Sequence, residues 1–319
     1  MANWTASDIP AQRGRTAVVT GTGGLGFEDA MALARAGATV IIAGRNPYKG
    51  AAAVDRIRRQ APGAAVSFEL LDLASLESID AFGERLWESL ACLDLLINNA
   101  AVMTPPKRQT TADGFELQFG TNYLGHFALT AQLLPLLRKA HAPRVINLSS
   151  VAARDGEIRF DDLQSQHDYR PMAAYAQSKL ACLMFAFELQ RRSAAAGWGI
   201  QSIAAHPGVA RTDLLPNGAG ASSAAGVVRR YLWFLFQPAW QGALPTLYAA
   251  TSPQAKAGGY YGPHRLAETR GYPAVAKAPP QALDIEVAAR LWTESERLTG
   301  AVFPAIGPAD LAAHTAAPV

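Results

Sequence analysis

The 319-residue sequence is poor in the residues that build disulfide, metal and membrane chemistry. It has 2 cysteines, Cys92 and Cys182. Each sits in an apolar pattern of helical period, which points to buried thiols and not to a disulfide. Its 6 histidines are scattered without metal-ligand spacing, so no metal site is expected. No apolar stretch approaches the roughly 20 residues that a bilayer span requires. The opening segment, MANWTASDIPAQRGRT, lacks the apolar run of a signal peptide. Charged residues make up 17% and the net charge is +3, without blocks of lysine or arginine. That argues against a nucleic-acid partner. The pairs Arg58-Arg59, Arg191-Arg192 and Arg229-Arg230 read as solvated helix faces. A cytoplasmic, reduced protein without a membrane span is the expectation.

What is present is a regular alternation. Short apolar runs at Thr16–Thr20, Thr39–Ala43, Val66–Leu70, Leu95–Ile97, Arg144–Leu148 and Ile200–Ala205 predict strands. Between them lie helical patterns, at about Phe27–Ala36, Pro47–Gln60, Asp113–Ala140 and Ala173–Ala195. Pro47 suits a first helical turn, and Ser75 reads as an N-cap with Ser78 in place of the glutamate of a capping box. Several strands are apolar throughout, as strands covered on both faces are. The expectation is an α/β fold, a Rossmann-type doubly wound parallel sheet of about seven strands with helices on both faces. One domain is expected over residues 1–319. Its nucleotide-binding and catalytic core spans about 14–212, and about 213–319 form a substrate lobe and lid-like extension. The alternation fails from about Pro216, leaving a weak strand near Tyr260-Tyr261 and a helix at about Asp284–Leu298.

The first strand runs straight into Gly21, Thr22, Gly23, Gly24, Leu25 and Gly26 before a helix begins. Gly21, Gly23 and Gly26 satisfy G-x-G-x-x-G. Without Cβ atoms a backbone can turn sharply and approach a pyrophosphate, which the helix N-terminus then favours. After strand two a site for NAD(H) places an acid on the ribose hydroxyl. Here the strand ends Ala43-Gly44-Arg45-Asn46. Arg45 suits a 2′-phosphate, so NADP(H) is the expected cofactor, with NAD(H) possible.

Tyr175 and Lys179 lie four residues apart on a predicted helix and so share a face. An ammonium beside a phenol favours the phenolate, which makes the pair a general acid–base unit.

Together these residues resemble the short-chain dehydrogenase/reductase family, in its retinol-dehydrogenase-like and WW-domain-oxidoreductase-like branch, over about residues 14–212. The resemblance is carried by the glycine loop, Ala43–Asn46, Leu71-Asp72-Leu73, Asn98-Asn99-Ala100, Asn122–Phe127, Asn147–Ser150, Tyr175–Lys179 and His206–Val209. It implies a catalytic set of Asn122, Ser150, Tyr175 and Lys179. Tyr175 would be the acid–base, Lys179 would lower its pKa and hold the cofactor ribose, and Ser150, rather than Ser149, would hold the substrate oxygen. Asn122 would anchor a water of a proton relay. Asp72 and Leu73 would meet adenine, Asn99 and Ala100 would lie along the cofactor, Pro207, Gly208 and Val209 would border the nicotinamide, and Thr212 would bind its carboxamide. Two departures stand out: the loop T-G-x-x-G-x-G is one residue shorter than the family's, and Ala101 stands where glycine is usual.

The expected substrate is a small-molecule ketone, aldehyde or alcohol of lipophilic or aromatic character. Leu214, Leu215 and the segment 227–240, with Tyr231, Trp233, Phe234, Phe236 and Trp240, supply the apolar surface. The same segment could instead pack on the core, on a second subunit of a homodimer or homotetramer, or on a membrane surface. An NAD-dependent alcohol dehydrogenase and a non-catalytic NADP(H)-binding regulator are the alternatives.

Overall fold

A computed structural model of the chain describes residues 3–210 and 237–304. Its centre is one eight-stranded sheet. The strands are β1 (Thr16–Thr20), β2 (Thr39–Gly44), β3 (Val66–Leu70), β4 (Leu95–Asn98), β5 (Arg144–Leu148), β6 (Gln201–Ala205), β7 (Tyr260–Arg265) and β8 (Arg270–Val275). Their order is β3-β2-β1-β4-β5-β6-β7-β8. Every pair is parallel except β7 with β8. Helices α1 (Gly24–Arg35), α2 (Pro47–Gln60), α3 (Leu76–Ser89), α4 (Gly125–Leu137), α5 (Pro171–Ala195), α6 (Leu244–Thr251) and α7 (Ile285–Thr299) pack around the sheet.

The alternation of side chains along each strand explains why the runs are apolar throughout. On β1, Ala17 and Val19 enter one buried cluster with Phe27, Leu33 and Leu247. Val18, between them, enters the opposite cluster with Phe127, Phe185 and Trp292. Successive residues face opposite sides of a strand, so burial on both faces leaves no polar position. The second cluster is rich in aromatic contacts. Phe127 lies 5.3 Å from Phe185 and 5.0 Å from Trp292, both tilted or edge-on, the geometry that π-quadrupoles favour.

The strand order reverses beside β1, where β2 and β4 flank it on opposite sides. Connections leave in opposite directions there, which opens a crevice above the carboxyl ends of the strands. Ser75 caps its helix as the sequence predicts, and Asn46 and Asp284 cap two others. Asn46 caps α2 by accepting from the Lys49 N–H at 3.0 Å, Ser75 accepts from the Ser78 N–H at 3.2 Å, and Asp284 accepts from the Val287 N–H at 2.9 Å.

Three expectations change. The long helical stretch expected over about 113–140 is shorter, 117–137, and has a π-helical turn at Gly120–Leu124 between a turn at Leu117–Phe119 and α4. A sheet of about seven strands becomes one of eight, because Gly271 and Pro273 disguise β8. Both residues are tolerated at a sheet edge, where one side needs no ladder. Finally, Cys92 lies in the connection after α3 and not in a helix, whereas Cys182 is buried in α5; both thiols are free.

Candidate active site

A cleft of about 1460 Å³ opens above the carboxyl ends of the central strands. Most residues singled out by sequence border it: Gly21, Thr22, Gly23, Gly24, Leu25, Arg45, Asp72, Leu73, Asn99, Ala100, Ser150, Tyr175, Lys179, Pro207, Gly208 and Val209. Gly26 and Asn122 are buried behind its wall. Thr212 lies outside the described residues, as do Leu214, Leu215, Tyr231, Trp233, Phe234 and Phe236. Trp240 is described and half exposed.

The glycine loop is shaped for close approach. Gly21 has a φ of +101°, a conformation that L side chains avoid. A Cβ at Gly26 would lie 2.7 Å from the Gly21 carbonyl oxygen, whereas one at Gly23 would meet nothing within 4 Å. Gly23 is the N-cap of α1 and no side chain caps that helix. The first-turn N–H groups therefore remain for an anion, and the open side at Gly23 admits a pyrophosphate. A dinucleotide phosphate fits this cradle.

Thr20 holds the loop to β4. Its hydroxyl oxygen accepts from the N–H groups of Asn99 and Ala100, each at 2.9 Å, and its carbonyl accepts from Asn99 Nδ2 at 2.7 Å. The Thr20 hydroxyl also lies 2.9 Å from His126 Nε2, while His126 Nδ1 lies 2.9 Å from the Asn122 carbonyl oxygen. A carbonyl only accepts, so Nδ1 carries the proton and Thr20 donates to Nε2. Burial keeps His126 neutral and depresses its pKa to about 3.

At the catalytic end, α5 brings Tyr175 and Lys179 to the cleft beside Ser150, which follows β5. Ser149 is engaged elsewhere: its hydroxyl donates to the Lys179 carbonyl at 2.8 Å. Ser150 caps the 3-10 turn at Val151–Asp155, accepting from the Ala152 N–H at 3.2 Å. Burial dominates the Tyr175 phenol and pushes its pKa up to about 12, with a hydrogen bond to Ser150 acting the other way. The lowering by Lys179 expected from their spacing is not among the influences on the phenol. Lys179 is itself buried, which pulls its pKa down, and its Nζ donates to the Leu148 carbonyl at 3.0 Å. Asn122 fastens the wall behind them. Its Oδ1 accepts from the Val102 N–H at 2.7 Å, and its Nδ2 donates to the Val102 carbonyl at 2.9 Å and to Ser178 Oγ at 3.0 Å. Cys182 Sγ lies 3.1 Å from the Asn122 carbonyl oxygen that His126 also meets.

The opposite end is basic. Arg45 shares it with Lys49 and Arg56 of α2, together with Glu28 of α1. Arg56 stacks over the Phe27 ring at 4.1 Å. Burial raises the pKa of Glu28, with Arg56 and Arg35 opposing. Asp72 turns its Oδ1 to the Ala74 N–H at 3.0 Å. Lys49 and Arg56 escaped the sequence reading because a lysine and an arginine on an amphipathic helix carry no motif; only the packing of α2 beside β2 places them here. Met103, Pro105, Pro106 and Met172 also line the cleft and were missed for the same reason.

The sequence model of the short chain dehydrogenase family matches residues 15–219. The chain belongs to that family. Mouse retinol dehydrogenase 13 is 43% identical over 294 residues, covering 90% of this chain and 84% of that protein. Mouse polyprenol dehydrogenase is 40% identical over 301 residues, covering 92% and 86%. Among solved structures, an uncharacterized protein from Mycobacterium Paratuberculosis is 40% identical with a TM-score of 0.79, covering 95% of this chain and 100% of that one. A Pseudomonas aeruginosa RhlG/NADP complex is 25% identical with a TM-score of 0.62, covering 78% and 94%. This short chain dehydrogenase is thus an oxidoreductase of the retinol-dehydrogenase-like branch, with a nicotinamide cofactor. The expectation of a cytoplasmic location is corrected by these relatives. They are named for retinol and polyprenol, and kinship with them leaves the cytoplasmic expectation without support. Among the described residues, no helix is long and apolar enough to cross a membrane.

Proposed function

We propose that this short chain dehydrogenase uses NADP(H) to interconvert a carbonyl, ketone or aldehyde, and an alcohol on a lipophilic substrate. The observation that carries the reading is one cleft bordered by an uncapped helix N-terminus, Arg45, Ser150, Tyr175 and Lys179. Anion binding, charge discrimination and acid–base groups come from separate elements and meet only there.

A bound nicotinamide supplies the hydride in reduction and receives it in oxidation. The residues of the chain do the rest. Ser150 and Tyr175 hydrogen-bond the substrate oxygen and stabilise the alkoxide that develops on it. Tyr175 gives its phenolic proton to that oxygen in reduction and takes it back in oxidation. Its raised pKa keeps it protonated at neutral pH, the state that reduction needs. Lys179 favours the phenolate left behind. Asn122 positions Val102 and Ser178 around this pair, and Thr212 serves the cofactor carboxamide with Pro207, Gly208 and Val209.

Preference for NADP(H) is supported by Arg45, Lys49 and Arg56 gathered where the adenosine ribose would sit, in a chain with no acid at the end of β2. A guanidinium pairs with a phosphate in bidentate geometry and gains nothing comparable from a hydroxyl. A lipophilic substrate is supported by the names of the relatives and by Met103, Pro105, Pro106 and Met172 along the cleft. Of the described residues after 213, Ala239 borders the cleft.

The test is consumption of NADPH and NADH, followed by absorbance with the purified protein. The carbonyl panel runs from isoprenoid aldehydes to small polar ketones, with Tyr175→Phe as control. The expected result is NADPH-linked reduction of the isoprenoid aldehydes that Tyr175→Phe abolishes. Turnover that survives Tyr175→Phe, or an equal rate with small polar carbonyls, contradicts the reading.

A further inference from the structure

The turn between β7 and β8 has an unusual backbone. Leu266, Ala267 and Glu268 have φ values of 50°, 52° and 64°. The left-handed region is costly for a residue with a Cβ, so three in succession persist only where their surroundings impose them.

The restraint is the Glu268 carboxylate. One oxygen lies 2.7 Å from Arg154 Nη2 and 3.1 Å from His206 Nε2, and the other accepts from the Lys277 N–H at 2.9 Å. Arg154 Nη1 adds a bond to the Ala267 carbonyl at 3.0 Å. His206 is fully buried, and its Nδ1 accepts from the Gly208 N–H at 3.2 Å. Its proton therefore sits on Nε2, which donates to Glu268. Burial holds the His206 pKa down, so the ring stays neutral in that tautomer. Burial alone would raise Glu268, but the bonds from His206 and the Lys277 N–H, with the charge of Arg154, bring it to about 2.

Each partner leads to a different wall of the cleft. His206 opens the loop that continues through Pro207, Gly208 and Val209, which border the cleft. The turn is seated on that loop. Val209 donates its N–H to the Thr269 carbonyl at 2.8 Å, and a Cβ on Gly208, at φ +62°, would strike the same carbonyl oxygen. Arg154 belongs to the 3-10 turn at Val151–Asp155, whose N-cap is Ser150. Among the described residues no hydrogen bond joins the Ser150 turn to the Pro207–Val209 loop; Glu268 bridges them from a third element.

We propose that Glu268 is a positioning residue: through His206 and Arg154, one carboxylate keeps the Pro207–Val209 loop and the Ser150 turn in register with each other. The proposal rests on reading the cleft as a hydride-transfer site, with that loop beside the nicotinamide and Ser150 beside the substrate oxygen. It predicts a role in orienting the two reactants that neither contact alone would have. It also gives the β7–β8 hairpin a function, since this turn lines none of the cleft itself.

The test uses the full chain with Glu268→Ala, Glu268→Gln and Arg154→Ala. Thermal unfolding checks that each variant folds. Binding of NADPH is read from nicotinamide fluorescence, and binding of a 2′-phosphorylated adenosine fragment without nicotinamide is read by competition. Glu268→Ala should weaken NADPH about tenfold and lower kcat, and leave the adenosine fragment unchanged. Glu268→Gln should recover part of both losses, because an amide oxygen still accepts hydrogen bonds. Arg154→Ala, which cuts only the serine side, should lower kcat and spare NADPH affinity; it carries the test if Glu268→Ala does not fold. Wild-type kcat and NADPH affinity in Glu268→Ala would overturn the proposal, as would equal loss of NADPH and the fragment, which marks general loosening. A wild-type protein that binds neither NADPH nor NADH would overturn the reading of the cleft, and the proposal with it. Wild-type binding with an indifferent Glu268→Ala overturns the proposal alone.

Discussion

Alanine at Gly26 and alanine at Gly23 separate packing from binding within one loop. A Cβ at Gly26 lies 2.7 Å from the Gly21 carbonyl oxygen, 3.1 Å from that of Thr20 and 2.5 Å from Asn99 Nδ2. The two carbonyls are backbone and cannot swing aside. Asn99 can move only by leaving its 2.7 Å bond to the Thr20 carbonyl. Overpacking of this kind costs about 1–3 kcal/mol, and the lost hydrogen bond adds about 1 kcal/mol. Alanine regains at most about 1 kcal/mol of helix propensity over glycine. The net is about 1–3 kcal/mol, or about 2–5 °C in Tm for a chain of this length. At Gly23 a Cβ meets nothing and φ is −141°, an extended value open to any residue. Replacing an N-cap glycine by alanine costs stability of about 1 kcal/mol or less. The methyl group, however, occupies the open side of the cradle, so NADPH affinity should fall by about tenfold or more. Thermal unfolding and a fluorescence titration of NADPH on both variants decide the matter. If Gly23→Ala binds like wild type, or Gly26→Ala melts with wild type, this assignment of roles within the loop is wrong.

Tyr175→Phe removes only the transferable proton. Turnover should fall about 10²- to 10⁴-fold while NADPH affinity holds, as rate and binding assays will show. Arg45→Asp should weaken NADPH by about tenfold or more relative to NADH; an unchanged ratio of the two KM values would leave Arg45 without a part in the choice. His126 is neutral in the fold, with a pKa near 3 against an ordinary 6.5. The unfolded chain therefore binds a proton that the folded one refuses. This contribution is complete above pH ~6.5 and is lost at about 1.4 kcal/mol per pH unit as pH falls toward 3. Urea unfolding across that range should show the slope in wild type and a shallower one in His126→Gln.

Much of the fold was legible in local sequence. Strands covered on both faces read as unbroken apolar runs, and Val66–Leu70 and Arg144–Leu148 match their expected bounds residue for residue. Ser75 was legible as a helix start because a cap needs only residues a turn apart. The glycine loop and the Tyr175/Lys179 pair were visible for the same reason: each is a short pattern whose parts touch through neighbouring backbone. Edge strand β8 was not legible, since its proline and glycine are permitted by what lies beyond the sheet and not by their neighbours in sequence.

Tertiary structure decided the rest. Ser149 and Ser150 are equivalent as letters and both border the cleft, and only the packing of α5 on β5 ties the Ser149 hydroxyl to the Lys179 carbonyl. Spacing on a helix promised that Lys179 would lower the pKa of Tyr175; burial, which no spacing encodes, raises it instead. Lys49 and Arg56 joined Arg45, and Glu268 met His206 and Arg154 across 62 and 114 positions of sequence, because strand order brought their elements together. Backbone conformation and amphipathic period are written within a few residues, where sterics and local hydrogen bonds act. Desolvation and the pairing of charges depend on which distant segments exclude water from a point, and that is settled only when the sheet has closed.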